Sequence, residues 1–359
     1  MTEMLSPGAV IGILGGGQLG RMLSVAAARL GFRTHIYDPA EAPPAGDVAA
    51  RVTRAAFDDA SALTRFADSV DVITYEFENI PAQALDLLQA RRPIRPDRRA
   101  LQVSQDRLDE KRFLAGLGLS VAPYAPVDDR ASLQAALSEV APPAILKTRR
   151  FGYDGKGQAL VATAEGALPA LEELADAPAL LEGVVTFSRE ISVIAARGLD
   201  GAVVCYDPGE NLHERGILRR STVPAPLTTA QRTDAALLAG RILNALDYVG
   251  VMGVELFVTD DGLVVNEIAP RVHNSGHWTQ QGCVVDQFEQ HIRAIAGWPL
   301  GDGRRYADVV MENLIGEEVS EVARIAGEGA SAIHLYGKRG TRPGRKMGHV
   351  NRVIGPAAR

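Results

Sequence analysis

Apolar residues in the first hundred positions fall in short runs separated by amphipathic stretches, a pattern that predicts alternating strands and helices. Val10–Leu14 is a short apolar strand, Gln18–Leu30 a helix and Thr34–Tyr37 a second strand. Ser61–Asp68 reads as helix, Val72–Tyr75 as strand and Ala82–Gln89 as helix. This βαβα order predicts an α/β unit with a parallel sheet. The run Arg91-Arg92-Pro93-Ile94-Arg95-Pro96 breaks the pattern and marks its exit.

The rest of the chain is of mixed α+β character. A helix is expected at about Gln105–Gly116, followed by a Gly- and Ala-rich region to about Ser188. That region holds the strands Ala144–Lys147 and Gln158–Ala162 and a helix near Gly166–Ala175. Strands then dominate, at Leu180–Val185, Glu190–Arg197 and Ala202–Asp207. A long helix is expected over Thr229–Leu246, then a hairpin of Gly253–Thr259 and Leu263–Ile268, then a helix over Asp286–Ala296. The tail after Trp298 reads as short strands with Gly-rich turns and one short helix. No repeat, heptad run or low-complexity tract is present.

With 359 residues the chain has room for two or three domains. Its 46% hydrophobic and 23% charged content excludes a disordered or collagen-like chain. A net charge of −6 gives no general attraction to nucleic acid or an anionic membrane. Two cysteines, Cys205 and Cys283, build neither a disulfide framework nor a cysteine zinc site, which fits a reducing cytoplasm. The start carries no basic leader, and Val10–Leu14 runs straight into glycines, so no signal peptide or membrane span is expected. Of 38 basic residues only five are Lys: Lys111, Lys147, Lys156, Lys338 and Lys346. Where Arg is the default cation, a retained Lys points to a site that needs a compact charge.

Gly15-Gly16-Gly17-Gln18-Leu19-Gly20 fits a dinucleotide-binding turn between strand and helix, and Asp38 closes the next strand. Any strand-to-helix turn of this shape needs such glycines, and nothing later in the chain resembles a hydride-transfer site. The turn can serve another phosphate or carboxylate, or none.

A second glycine-rich loop, Gly152-Tyr153-Asp154-Gly155-Lys156-Gly157, follows the strand ending at Lys147 and leads into Gln158. It matches neither the Walker A nor the kinase pattern. Its backbone N–H groups can wrap a triphosphate, with Lys147 as a point charge; a plain hairpin loop is the alternative.

The hairpin carries Glu255 and Glu267. A three-residue loop Asp260-Asp261-Gly262 would pair 259 with 263, 257 with 265 and 255 with 267, placing the two carboxylates opposite one another. They would repel unless a cation lay between them, and hard oxygen ligands near phosphate imply Mg²⁺. The alternative is two solvated carboxylates on an exposed face. Two further clusters suggest anion binding. One is the loop Ala269-Pro270-Arg271-Val272-His273-Asn274-Ser275-Gly276-His277-Trp278-Thr279. The other is the basic turn Lys338-Arg339-Gly340-Thr341-Arg342-Pro343-Gly344-Arg345-Lys346. Cations in a turn suit a phosphomonoester.

Together these blocks resemble the ATP-grasp superfamily. Within it the chain is similar to the ATP-dependent 5-(carboxyamino)imidazole ribonucleotide synthases of bacterial and fungal purine synthesis. The similarity runs from Gly15–Arg21 through Tyr75-Glu76-Phe77-Glu78-Asn79, Gly152–Gln158, Asn211-Leu212-His213, Gly216–Arg219 and Asn266–Thr279 to Arg342–His349. It implies an ATP-grasp fold. A Rossmann-like domain would span residues 1–103, an ATP-grasp domain 104–298 with a mobile lid at about 120–187, and a small β-rich domain 299–359.

The resemblance also implies roles. Arg107, Lys147 and Gly152–Gln158 (with Tyr153, Asp154, Gly155, Lys156 and Gly157) would contact ATP phosphates. Glu182, Gly183, Val184, Val185 and Glu190 would hold adenine and ribose, with His213 nearby. Glu255 and Glu267 would hold Mg²⁺, with Asn266 assisting only through its backbone or a water. The superfamily's usual metal-side Asn two residues after the second Glu is Ala269 here. Arg271 would stabilise carboxyphosphate, formed from bicarbonate and ATP, and Asp154 would accept a proton from the amine of 5-aminoimidazole ribonucleotide. The ribotide would lie among Gln18, Leu19, Glu76, Tyr153, Arg271, His273, Asn274 and Ser275, its phosphate at Lys338, Arg345 and Lys346. A cytoplasmic homodimer acting on small molecules, with no nucleic-acid or membrane partner, is expected. The rival readings are a sister ATP-grasp ligase like formate-dependent glycinamide ribonucleotide transformylase, a nicotinamide oxidoreductase, and a non-catalytic nucleotide-binding regulator.

Overall fold

The computed structural model describes residues 4–152 and 155–357. Three sheets organise it. The amino-terminal sheet is parallel, in the order Arg51–Thr53, Arg33–Tyr37, Val10–Leu14, Val72–Tyr75. Its inner strands are buried on both faces, because helix Gln18–Arg29 covers one side and helices Ala60–Asp68 and Ala82–Gln89 the other. The short strand Arg51–Thr53 and the helix Arg98–Ser104 were not expected from the sequence. The second of these hides behind the Arg-Pro run, where Asp97 caps it by accepting from Arg99 N at 2.9 Å. The next helix starts at Arg107 rather than Gln105, because the Asp106 carboxylate caps it and accepts from Leu108 N.

A small antiparallel sheet has the order Tyr124–Val127, Ala179–Gly183, Ala144–Thr148, Gln158–Val161. It has its own core of Val127, Leu133, Leu146, Val161, Leu171 and Leu181, closed by helices Arg130–Glu139 and Ala167–Glu173. This core is separate from those of the other two sheets.

The largest sheet has nine strands. Eight lie in the order Gly262–Ala269, Gly250–Thr259, Arg189–Arg197, Gly209–Glu214, Ile217–Val223, Ala307–Ile315, Lys346–Pro356, Ser331–Leu335, and Val203–Cys205 pairs beside Arg189–Arg197. The tail therefore extends the same sheet as the middle of the chain, joined where Arg220–Val223 pairs with Glu312–Val309. Alternation along Arg189–Arg197 divides the molecule. Ile191, Val193 and Ala195 pack under the long helix Thr229–Ala245. Ile194 and Ala196 face Trp278, Phe288 and Ile292. Further along that second face the residues turn polar, Glu190 and Ser192, and the cleft begins. The tail residue Tyr336 joins the same core as Leu19, Leu23 and Trp278, which fixes the basic turn against the amino-terminal unit. Among the described residues no helix is long and apolar enough to cross a membrane.

Candidate active site

The hairpin places its carboxylates opposite one another by a route the spacing did not reveal. Its loop has two residues, not three: Thr259 pairs with Gly262 and Leu256 with Val265. Continued, that register would put Glu255 opposite Asn266. A bulge at Asn266 inserts one residue and restores the pairing of Glu255 with Glu267. Burial and the facing Glu267 push the Glu255 carboxyl up to about 7. Burial would also raise Glu267, but Arg107 and Lys147 outweigh it and hold that carboxyl below its ordinary range. Arg107 Nη1 lies 3.2 Å from Glu267 Oε2. Two opposed carboxylates, one driven toward protonation, form a donor set that a hard divalent cation would satisfy. Among the described residues no third His, Cys, Asp or Glu completes a metal cluster. Remaining positions around a cation would fall to ligand oxygens and water.

Two cations, Lys147 and Arg107, meet near this pair from two elements. Lys147, on strand Ala144–Thr148 of the small sheet, lies with Nζ 2.6 Å from Glu182 Oε2 on the neighbouring strand. Arg107 reaches the same cleft from the first turn of its helix. Burial would raise Glu182, but Lys147 and Lys111 outweigh it and hold that carboxyl below its ordinary range. In the glycine loop, Gly157 has φ +68°, and a Cβ there would lie 2.5 Å from Thr148 Oγ1. The chain can therefore turn back to Gln158, which pairs with Lys147, only through glycine. Tyr153 and Asp154 lie outside the described residues.

On the neighbouring strands, His213 Nδ1 is 2.5 Å from Glu190 Oε2. Burial would lower His213, but this bond and nearby Glu255 raise it. Val184 stays exposed beside Glu182, an apolar surface available to a flat base.

The loop after Glu267 is held from behind. Gln287 accepts from His273 N at 2.9 Å and donates to His273 O at 2.8 Å, while Ser192 Oγ donates to Ser275 Oγ at 2.6 Å. Burial, reinforced by Arg271 and Lys346, keeps His273 neutral well below its ordinary value, and its Nε2 lies 3.5 Å from Glu255 Oε1. Asn274 has both side-chain polar atoms buried without a partner, an arrangement that a ligand would complete. Arg271 Nη2 pairs with Glu78 Oε1 at 3.0 Å.

The basic turn comes to the same place. Lys338 Nζ donates to Lys346 O at 2.7 Å and lies over the Tyr336 ring. Burial, then Arg345, Lys346 and Arg342, push its ammonium down to about 8, with Glu76 opposing. Cations crowded in this way would be relieved by an anion. Lys346 is close enough to Glu255 and His273 to act on both. Arg345 Nη1 donates to the carbonyls of Arg339 and Gly340, so this residue also shapes the turn.

The amino-terminal glycine turn is already satisfied. Gly16 N donates to Asp38 Oδ2 at 2.7 Å, Gly20 N donates to Glu76 Oε2 at 2.8 Å, and Gly17 N donates to the other Glu76 oxygen. Two internal carboxylates thus occupy the donors that a dinucleotide pyrophosphate would need. Glu76 is expected to act from within this turn rather than by reaching out. Leu19 is buried, leaving its backbone and Gln18 at the cleft. We expect no NADH binding by calorimetry; micromolar affinity would contradict this arrangement.

Sequence reading passed over Glu78, Glu110 and Lys111. Glu110 is buried, accepts from Ile268 N at 2.7 Å and is pushed up to about 8 by burial and by Glu267. Glu78 was visible in the Tyr75–Asn79 block, and Lys111 among five lysines; Glu110 carried no distinguishing signal.

Three family models match the chain: a ribonucleotide synthetase preATP-grasp domain over residues 9–105, an ATP-grasp domain over 112–288, and a phosphoribosylaminoimidazole carboxylase C-terminal domain over 309–357. The N5-carboxyaminoimidazole ribonucleotide synthase of Brucella melitensis is 52% identical, with 97% of each chain covered. That of Bacillus subtilis is 41% identical, covering 97% of this chain and 92% of the relative. Among solved structures, an ADP complex of an N5-carboxyaminoimidazole ribonucleotide synthetase matches with TM-score 0.95 at 40% identity, covering 98% of this chain and 94% of the other. The Aspergillus clavatus N5-carboxyaminoimidazole synthase in complex with ADP and 5-aminoimidazole ribonucleotide matches with TM-score 0.89 at 31% identity, covering 97% and 94%.

Proposed function

The chain belongs to the N5-carboxyaminoimidazole ribonucleotide synthases of the ATP-grasp family, and from that premise we propose how its residues divide the work of the reaction. The enzyme is an ATP-dependent ligase that carboxylates 5-aminoimidazole ribonucleotide in purine biosynthesis. Residues 1–103, 104–298 with a lid at about 120–187, and 299–359 are its working units.

ATP lies between the lid sheet and the large sheet. Lys147, Arg107 and the glycine loop take the phosphates; Glu182–Val185, Glu190 and His213 take adenosine. Glu255 and Glu267 would hold Mg²⁺, which when bound neutralises phosphate charge. A bicarbonate oxygen attacks the γ-phosphorus, the bond to the β-phosphate oxygen breaks, and ADP leaves with that electron pair. Carboxyphosphate remains. Arg271, oriented by Glu78, faces its developing charge. The exocyclic amine of the ribotide then attacks the carboxyl carbon, directly or as released CO₂. Phosphate departs, and the amine proton passes to Asp154. The chain's contribution is positioning and charge neutralisation.

The observation that carries this reading is contiguity. The Glu255–Glu267 pair, the Arg107 and Lys147 cations, the Arg271–Ser275 loop and the Lys338–Lys346 turn neighbour one another through ion pairs and charge interactions. The reading extends to a cytoplasmic homodimer that takes only small molecules. ADP release, assayed with ATP, bicarbonate and 5-aminoimidazole ribonucleotide and with each omitted in turn, tests it. Full release is expected only with all three. Undiminished release with glycinamide ribonucleotide and formate in place of bicarbonate and aminoimidazole ribonucleotide would favour the sister ligase.

A further inference from the structure

Of the chain's five lysines, Lys111 is the one that the reaction above leaves unused, and it is almost completely buried, with 3% of its side chain exposed. It projects from helix Arg107–Gly116 and touches two other elements. Its Nζ lies 2.7 Å from Glu182 Oε1 and donates to Asn266 O at 2.9 Å. Glu182 gives its second oxygen to Lys147. Asn266 is the extra residue of the bulge that brings Glu267 opposite Glu255.

Each contact has a physical consequence. A bulged residue leaves the ladder locally unpaired, and a buried carbonyl without a donor is costly. The Lys111 ammonium supplies that donor and so holds the bulge in register. On its other side, one buried carboxylate lies between two ammonium groups. Lys111 and Glu182 cancel, and the trio keeps one net positive charge, carried by Lys147. Without Lys111, Lys147 would be the sole counter-ion of Glu182 and would present little net charge to a phosphate. One side chain thus sets both the charge of the phosphate-binding lysine on the lid and the alignment of the carboxylate pair on the hairpin.

We propose that Lys111 is a positioning residue, coupling the nucleotide-phosphate site to the cation site while touching neither ligand. This inference rests on the assignment of Lys147 to phosphates and of Glu255 and Glu267 to a divalent cation. The test compares Lys111→Met, Glu182→Gln and the double variant with the intact chain. ADP affinity is measured by calorimetry. Mn²⁺ affinity at saturating ADP is measured from the free-ion paramagnetic resonance signal, and the Michaelis constant for 5-aminoimidazole ribonucleotide is recorded alongside.

Lys111→Met should weaken ADP and Mn²⁺ about tenfold each and leave the ribotide constant within twofold. Glu182→Gln should weaken ADP, because Glu182 would itself contact the adenosine, but not Mn²⁺, because Asn266 keeps its donor. The double variant contains no unpaired buried carboxylate, so it decides the matter if Lys111→Met does not fold. It should retain the Mn²⁺ loss that Glu182→Gln lacks. Equal Mn²⁺ affinity in the double variant and in Glu182→Gln would overturn the proposal. A general loss that also raised the ribotide constant tenfold would overturn it too, as a merely structural role. Lys147→Ala serves as the control: wild-type ADP affinity there would refute the underlying phosphate assignment instead.

Discussion

Glu267→Gln should lower turnover about a thousandfold, ~4 kcal/mol of transition-state stabilisation at a factor of ten per 1.36 kcal/mol. The substitution keeps size and shape but removes the charge that pairs with Arg107 at 3.2 Å and faces Glu255. Folding should survive, because the change also removes the like-charge neighbour that helps push Glu255 up to about 7. Losing a carboxylate that would hold the cation facing developing phosphate charge is the kind of change that falls on kcat rather than on substrate binding. Steady-state ADP release at saturating Mg²⁺, with thermal unfolding as a check on the fold, measures it. Near-normal turnover in a folded variant would remove Glu267 from the cation site.

Lys338→Ala should raise the Michaelis constant for 5-aminoimidazole ribonucleotide ten- to hundredfold and leave that for ATP within a factor of two. One charge-assisted hydrogen bond to a phosphate contributes roughly 1.5–3 kcal/mol, and each 1.4 kcal/mol is about tenfold. The pH dependence sharpens the test. Burial and neighbouring cations bring Lys338 down to about 8, so the free enzyme loses this charge as pH rises through that value. In the intact chain kcat/KM for the ribotide should therefore fall above about pH 8. In the variant that limb should vanish. Arg345→Ala is the less clean probe, since Arg345 also holds the carbonyls of its own turn. Equal weakening of ATP and ribotide by Lys338→Ala would make the tail structural.

Much of this architecture could be read from periodicity. The apolar strands Val10–Leu14 and Val72–Tyr75, the helix Ala82–Gln89 and the hairpin announced themselves because burial demands apolar runs at strand or helix spacing. The strands Gly209–Glu214 and Ile217–Val223 did not. Their inward residues include Asn211 and Ser221, which are buried and bonded to each other at 2.7 Å, so polarity there mimics a loop. Tyr124–Val127 was hidden by Pro126, which a strand tolerates only at the edge it occupies.

The site was legible where chemistry is carried by residue type, as in the paired glutamates and the basic turn. It was illegible where function depends on what lies behind a residue. The bulge at Asn266, the donor that Lys111 supplies to it, and the Glu78 carboxylate behind Arg271 are tertiary facts. At the glycine turn the pattern alone fits a dinucleotide, and the absence of a hydride-transfer site argues against one; what the sequence does not show is the cause, Glu76, 59 residues away from Gly17, which fills the turn's donors from within.

The most direct measurement follows oxygen. Bicarbonate labelled with ¹⁸O is mixed with enzyme, ATP and 5-aminoimidazole ribonucleotide in ordinary water, and the phosphate is analysed by mass before bicarbonate exchanges with solvent. Attack of a bicarbonate oxygen on the γ-phosphorus predicts one labelled oxygen in each phosphate released. Phosphate that carries no label, its new oxygen drawn from water, would contradict the account.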